Sequence, residues 1–223
     1  MRRFGPTLCL LAVTAATASA QEDRRLFAGA LAGVSTLSAD ARTITQGSSA
    51  EVSLYKPENG PAVNLFAGYH VARFVSVQAN YVWNRNDLRL FSSFVTPGGG
   101  GFHEQARDSS QHMFVADMLL YFRRFGSGIR PYLGTGLCLV RFSSPESGQT
   151  MSTHVVAPPG QISETTIALR SHVGIDLKLS RRVSFRYSFS ETIGRNPISR
   201  HLTPAGERGL ANFQNLFGFI ANF

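Results

Sequence analysis

The sequence predicts an all-β fold, an eight-stranded antiparallel up-and-down transmembrane β-barrel. Three observations carry that prediction. Eight segments alternate apolar and polar side chains at period two, the connections between them alternate long and short, and the chain runs from a secretory leader to an aromatic strand ending at Phe223. Period-two alternation places successive side chains on opposite faces of a strand. A closed barrel is the one strand arrangement that leaves no unpaired edge in lipid.

The N-terminus reads as an export signal. Met1-Arg-Arg3 is basic, Leu8 to Ala16 is apolar, and Ala18-Ser-Ala20 is a small-residue cleavage site before Gln21. The run is too short and too weakly apolar for a spanning helix. The expected division is residues 1–20 as signal peptide and 21–223 as one outer-membrane β-barrel domain. Cys9 departs with the leader, so Cys138 stands alone and an internal disulfide is excluded.

The predicted strands cover residues 26–36, 62–72, 74–84, 111–122, 130–142, 165–179, 183–193 and 210–223. Each is close to the roughly 9–11 residues that cross a bilayer obliquely. The first, Leu26-Phe-Ala-Gly-Ala-Leu-Ala-Gly-Val34, has small residues on both faces, so its orientation stays open. In 74–84, Val75, Val77, Ala79, Tyr81 and Trp83 separate from Ser76, Gln78, Asn80 and Asn84. In 165–179 the apolar side is interrupted only by Ser171. In the last, Phe213, Phe217, Phe219, Ala221 and Phe223 share one face, opposite Gln214, Leu216, Gly218, Ile220 and Asn222.

Long connections fall at 37–61, 85–110, 143–164 and 194–209, and short ones near 73, 123–129 and 180–182, the contrast that separates extracellular loops from periplasmic turns. Ala50-Glu-Val-Ser-Leu-Tyr55 is a candidate extra strand above the membrane, and Pro97-Gly-Gly-Gly-Gly101 marks a loop apex. That glycine run is no phosphate cradle, because no Lys-Ser/Thr follows it.

A soluble barrel would bury its apolar face. Here that face has too many large side chains for an eight-stranded interior, whereas the other carries Gly68, Gly134, Gly136, Gly174 and Gly218. Aromatics also gather in two bands. Tyr81, Trp83 and Phe114 lie toward the loops, and Tyr69, Phe122, Phe185, Phe219 and Phe223 toward the turns, as at two membrane interfaces. Charged residues are 16% of the chain, below the roughly 25% of soluble domains. The formal net charge of +8 is scattered, with no Lys/Arg run longer than two. This argues against nucleic acid and for attraction to outer-membrane lipids and lipopolysaccharide.

The leader, the eight strands, the loop contrast, Arg130-Pro-Tyr-Leu-Gly-Thr-Gly136 and the terminal Phe together resemble the small eight-stranded outer-membrane barrels related to OmpA and OmpX. That resemblance implies a location in the bacterial outer membrane. Gly218, Ala221 and Phe223 are similar to the C-terminal signal that such barrels present to their insertion machinery, although Ala221 is small and Leu216 stands where a polar residue is preferred. Related barrels that deacylate lipid A carry a His-x-Ser pair with a nearby acid. This chain has none; its nearest arrangements are Ser171-His172, which point to opposite faces, and Ser152-Thr-His154 in a presumed loop. No histidine set has metal-ligand spacing, and no catalytic, cofactor or metal site is expected. His103-Glu104 reads as a solvated loop pair.

The site residues expected are a lumen polar network of Asp117, Arg170, His172, Asp176, Lys178 and Arg186, with Gln78 and Asn80 beside it. Leu179 and Val183 both face outward, so the turn Ser180-Arg181-Arg182 sets them opposite each other. Asp176 then faces Arg186, Lys178 faces Ser184, and His172 faces Ser190, with Asp117 reaching in from across the lumen. The functional expectation is a non-enzymatic barrel with surface-exposed loops and an extracellular partner that the residues do not name. The alternatives are a lipid A-modifying enzyme or a narrow pore, for which the five inward glycines would leave local room.

Overall fold

The computed structural model describes residues 25–146, 150–153 and 157–223. The leader, with Cys9 and the start at Gln21, and His154 of the Ser152-Thr-His154 arrangement lie outside the described residues. In chain order the strands are β1 (Leu26–Leu37), β2 (Asp40–Gln46), β3 (Ser49–Pro57), β4 (Gly60–His70), β5 (Val75–Thr96), β6 (Gly99–Tyr121), β7 (Ile129–Ser144), β8 (Thr150–Ser152), β9 (Ile162–Lys178), β10 (Val183–Gly194) and β11 (Leu210–Asn222). Eight of them close a ring: β1 pairs with β4, β4 with β5, β5 with β6, β6 with β7, β7 with β9, β9 with β10, β10 with β11, and β11 with β1. Phe223 N–H donates to the Leu26 carbonyl at 2.9 Å and carries the seam to the last residue.

Within the membrane zone the faces separate as the alternation requires. Phe114, Met118, Leu137, Ile167, Leu169, Phe217 and Phe219 point outward and are exposed, whereas Ser76, Gln78, Asn80, Asn84, Asp117 and Arg170 are buried inside. On β1 the inward set is Phe27, Leu31, Ser35 and Leu37, which settles the orientation that its small residues left open.

Residues 85–110 are strand rather than a long loop. β5 has 22 residues and β6 has 23, paired without a break from Val75↔Leu120 to Thr96↔Gly99. At about 3.3 Å per residue each is roughly twice as long as a bilayer requires. The expected apex does turn the chain: Thr96 Oγ1 donates to the Gly99 carbonyl at 2.8 Å, and Gly99 sits at φ 143°. Polarity inverts along these strands. Arg85, Asp87 and Arg89 of β5 face out while Leu88 and Leu90 are buried, because the medium outside changes from hydrocarbon to water. His103 follows the same rule. It lies on the inward face of β6 at 1% exposure rather than in solvent, and burial pushes its pKa below the ordinary histidine value.

β3, which contains residues 50–55, pairs with the projecting half of β5, β2 pairs with β3, and β8 pairs with β6. The 195–209 connection folds over the ring. Ile198 and Leu202 join Leu37, Tyr55, Leu88, Leu90, Phe142, Ile162 and Leu210 in one buried apolar core. Asn196 pins it by donating to Tyr55 Oη at 2.8 Å and accepting the Ile198 and Ser199 amides at 3.0 and 3.1 Å.

Arg107, 4% exposed, ties the 145–161 connection to β6. Its guanidinium donates to Ser144 Oγ at 2.8 Å and to the carbonyls of Ser144, Pro145, Pro159 and Gly160 at 2.7–3.1 Å. Hydrogen bonds from a charged donor contribute about 1.5–3 kcal/mol each, so Arg107→Met should weaken this attachment by at least about 2 kcal/mol. Limited proteolysis of intact cells should then cut within 145–161 roughly thirtyfold faster, at that free energy, while the heat-modifiable barrel persists. Unchanged protection would show that Arg107 does not hold the segment.

Candidate functional site

The interior below the upper core is a stack of polar and aromatic layers. Its densest layer is built on Arg186, 1% exposed, and Asp176, which are directly opposed across β10 and β9. Arg186 Nε donates to Asp176 Oδ1 at 2.6 Å and Nη2 to Oδ2 at 2.8 Å, a two-point guanidinium–carboxylate fork. Nη2 also donates to Tyr121 Oη at 2.7 Å and Nη1 to Gln78 Oε1 at 2.8 Å, while Tyr121 Oη donates to Asp176 Oδ2 at 3.1 Å. The guanidinium carbon sits 4.7 Å from the Tyr132 ring centroid and 5.0 Å from that of Phe66. Planar stacking and in-plane hydrogen bonds thus satisfy the cation together.

A second layer gathers Arg170, His172 and Asp117. Arg170 Nη1 lies 3.4 Å and His172 Nε2 3.5 Å from Asp117 Oδ2, which also accepts from Asn80 Nδ2 at 2.8 Å. Arg170 Nη2 donates to Ser190 Oγ at 3.2 Å. Asp117 therefore serves Arg170 and His172, not the Arg186 fork. β6 and β9 are not neighbours; β7 lies between them, and its Gly136 opposes both Asp117 and Arg170. The charged side chains meet over the residue that has none.

The same device recurs, and it corrects the expectation that inward glycines leave room for a leak. A Cβ at Gly136 would overlap Asp117, at Gly134 the His172 ring, at Gly174 the Tyr132 ring, at Gly68 the Phe27 ring, and at Gly218 the Ala30 carbonyl. Side chains of neighbouring strands already fill the first four gaps, and the β1 backbone closes the last. Above these layers Ser35, Asn84, Asn86, Gln111 and Asn212 form a further hydrogen-bonded tier. Val82, Met113, Val115, Cys138, Val140 and Ala168 pack beside it.

Five of the six expected network residues are thus brought into the interior. Lys178 is not: it is opposed to Ser184 as the register requires, but it is exposed and donates to the Gly126 carbonyl at 3.3 Å. It stands at a strand end, where a long cation reaches water more cheaply than it enters the lumen. His172 faces Ser190, as that register also requires. Tyr121, Tyr132, Arg130 and Arg107 were missed. All four have inward parity, but Arg130 and Tyr132 sit in the Arg130-Pro-Tyr-Leu-Gly-Thr-Gly136 motif, which reads as fold rather than site, Tyr121 ends its strand beside Phe122 of the aromatic band, and Arg107 falls in the predicted 85–110 connection.

Of the C-terminal residues, Phe223 is 57% exposed, Ala221 is half-buried, and Gly218 opposes Leu31 and Arg186. Ser171 and His172 occupy opposite faces, Ser171 exposed and His172 buried. Among the described residues, no group of three or more His, Cys, Asp or Glu side chains is placed to hold a metal ion.

A family model described as "Outer membrane protein beta-barrel domain" matches residues 6–209. The solved Neisserial surface protein A is 14% identical, with 90% of this chain and 98% of that chain covered at a TM-score of 0.50. The N-terminal barrel domain of Pseudomonas aeruginosa OprF is 13% identical (88% and 97% covered, TM-score 0.43). Yersinia pestis Ail, solved in complex with the heparin analogue sucrose octasulfate, is 11% identical (89% and 99% covered, TM-score 0.46). No curated protein matches the sequence. With its outward apolar face, its closed ring of eight strands and a family match over most of its length, the chain belongs to the outer-membrane β-barrel domain proteins, is similar in fold to the OmpA/OmpX-type barrels, and resides in the bacterial outer membrane.

Proposed function

We propose that this barrel is a non-enzymatic membrane scaffold whose extracellular sheet, β2-β3-β5-β6-β8, is its contact surface. The observation that carries this reading is the sealed interior. An apolar core closed by Ile198 and Leu202 lies above two charged layers whose side chains are bound to one another. Such a lumen offers neither a water-filled path nor an accessible nucleophile and base. The projecting sheet, in contrast, exposes Val95, Phe102 and Met151 near its tip, with the rings of Phe91 and Phe102 stacked at 6.4 Å. Apolar side chains grouped on an extracellular surface favour a protein or matrix partner.

Two further contacts belong to the same reading. Exposed Arg141 and half-buried His112 are opposed, with Trp83 across from His112, where the outward face leaves the membrane; this row suits lipopolysaccharide phosphates. Gly218, Ala221 and Phe223 serve recognition by the insertion machinery.

The test is threefold. Refolded protein in a planar bilayer should give no steady conductance, and expression should leave the mass of lipid A unchanged. Cells carrying a barrel with residues 90–105 replaced by a short turn should lose the adherence or partner capture that the full barrel confers. Steady conductance would favour the pore, and a lipid A mass shift the enzyme. Equal adherence by the shortened barrel would remove the sheet from the function.

A further inference from the structure

The turn end of the barrel holds a recess with a volume of about 40 Å³, lined among others by His70, Tyr121, Phe125, Arg130, Lys178 and Arg186. Two of these side chains have unanswered hydrogen-bonding capacity. Arg130 is 7% exposed, and its guanidinium carbon lies over the Tyr121 ring, 3.8 Å from the centroid, with Phe125 at 5.3 Å. Its register partner is Asp176, but both oxygens of that carboxylate are taken by Arg186, at 2.6 and 2.8 Å, and Tyr121 adds a third bond. Arg130 therefore makes no ion pair among the described residues, and its Nε, buried, has no hydrogen-bond partner. Burying a cation is costly unless an anion answers it.

His70 points into the same recess. Its Nδ1 is 2.6 Å from Ser76 Oγ, and its ring packs 4.9 Å from that of Phe125. With the Ser76 hydroxyl donating to Nδ1, Nε2 carries the hydrogen; that buried atom makes no well-formed hydrogen bond among the described residues, although the Asn222 side chain, which also lines the recess, lies near the ring. Lys178 stands exposed at the mouth. Charge is one-sided here: Arg130, Lys178, Arg181 and Arg186 line the recess against the single carboxylate of Asp176.

We infer that this recess is a binding site for one phosphate-class oxyanion, held by the Arg130 guanidinium and the His70 Nε2 hydrogen at the periplasmic end of the barrel. An arginine preset by stacking presents its remaining N–H groups in the fork that matches a tetrahedral oxyanion. The volume, about three times the 10–15 Å³ that a single water requires, suits one such group and no larger ligand body. Two sources carry this chemistry at that face: free phosphate, and the headgroup phosphate of a phospholipid.

The test uses the full mature barrel refolded in a phosphate-free non-ionic detergent. Sodium phosphate is titrated by calorimetry at constant ionic strength set with sodium chloride, followed by short-chain phosphatidylglycerol below its micellar concentration. Saturable binding of inorganic phosphate, weakened at least tenfold in Arg130→Gln and unchanged in Arg124→Gln of the same turn, supports a free-phosphate site. Binding of the lipid alone with the same dependence on Arg130 supports a headgroup site. His70→Asn, which leaves all cations in place, should weaken either by severalfold and keeps the test open if Arg130→Gln does not assemble. Binding of neither probe, or binding that these variants do not alter, overturns the inference.

Discussion

Replacing Arg186 by alanine should destabilise the barrel by about 3–5 kcal/mol, whereas Arg182→Ala should change stability by less than about 0.5 kcal/mol. The two arginines are four residues apart on one chain segment, yet Arg182 is exposed in the β9–β10 turn and Arg186 is 1% exposed in the lumen. Removing Arg186 leaves the Asp176 carboxylate, itself 5% exposed, with the Tyr121 hydroxyl as its one side-chain donor among the described residues, since Arg130, its register partner, makes no ion pair with it, and takes the donor from Gln78 Oε1. The cost is that of an uncompensated buried charge, not the net worth of the pair. Asp176→Ala combined with Arg186→Ala should therefore cost less than the two single changes added together. Urea-driven unfolding from lipid vesicles, followed by the heat-modifiable gel shift, measures all four proteins. An Arg186→Ala barrel as stable as Arg182→Ala would remove the fork from the account of stability.

The register behind that pair was legible because lipid makes a strong demand. With hydrocarbon outside, Leu177, Tyr187 and their like have to face outward, and parity then sends Asp176 and Arg186 inward. The turn between Leu179 and Val183 did the rest, and Arg186↔Asp176 is the observed pairing. The strand termini of 85–110 were illegible for the converse reason. Once β5 and β6 emerge into water the outward residues become Arg85, Asp87 and Arg89, and a search for an apolar lipid face loses the strand where its environment changes. The Asp117–Arg170 contact hid differently: it spans three strands, and finding it requires seeing that Gly136 gives way between them. The glycines misled for the same reason, since a missing side chain reads as space until the neighbour that fills it is placed.

That second pair should behave unlike the first when both charges are removed. Asp117→Ala alone should cost about 3 kcal/mol or more, because Arg170, 1% exposed, would keep Ser190 Oγ at 3.2 Å as its one side-chain hydrogen-bond acceptor among the described residues. Replacing Asp117 by leucine together with Arg170 by methionine should return stability to within about 1 kcal/mol of wild type, since hydrophobic residues of similar volume commonly match a buried ion pair. The geometry favours that outcome here: the ion pair itself is one 3.4 Å contact, Asp117 Oδ1 lacks a hydrogen-bond partner, and the change strips an acceptor from one amide donor, Asn80 Nδ2, so little of the desolvation cost is recovered by keeping the charges. Val115, Cys138 and Ala168 lie on neighbouring inward positions and offer apolar company. The corresponding Asp176→Leu, Arg186→Met change should remain destabilised, because Gln78 and Tyr121 would lose the partner that answers them. Urea midpoints of the two double variants decide the point. A leucine–methionine barrel at 117 and 170 no more stable than Asp117→Ala would mean that the loose pair is as indispensable as the tight one, and that distance is a poor guide to which lumen charges hold this barrel together.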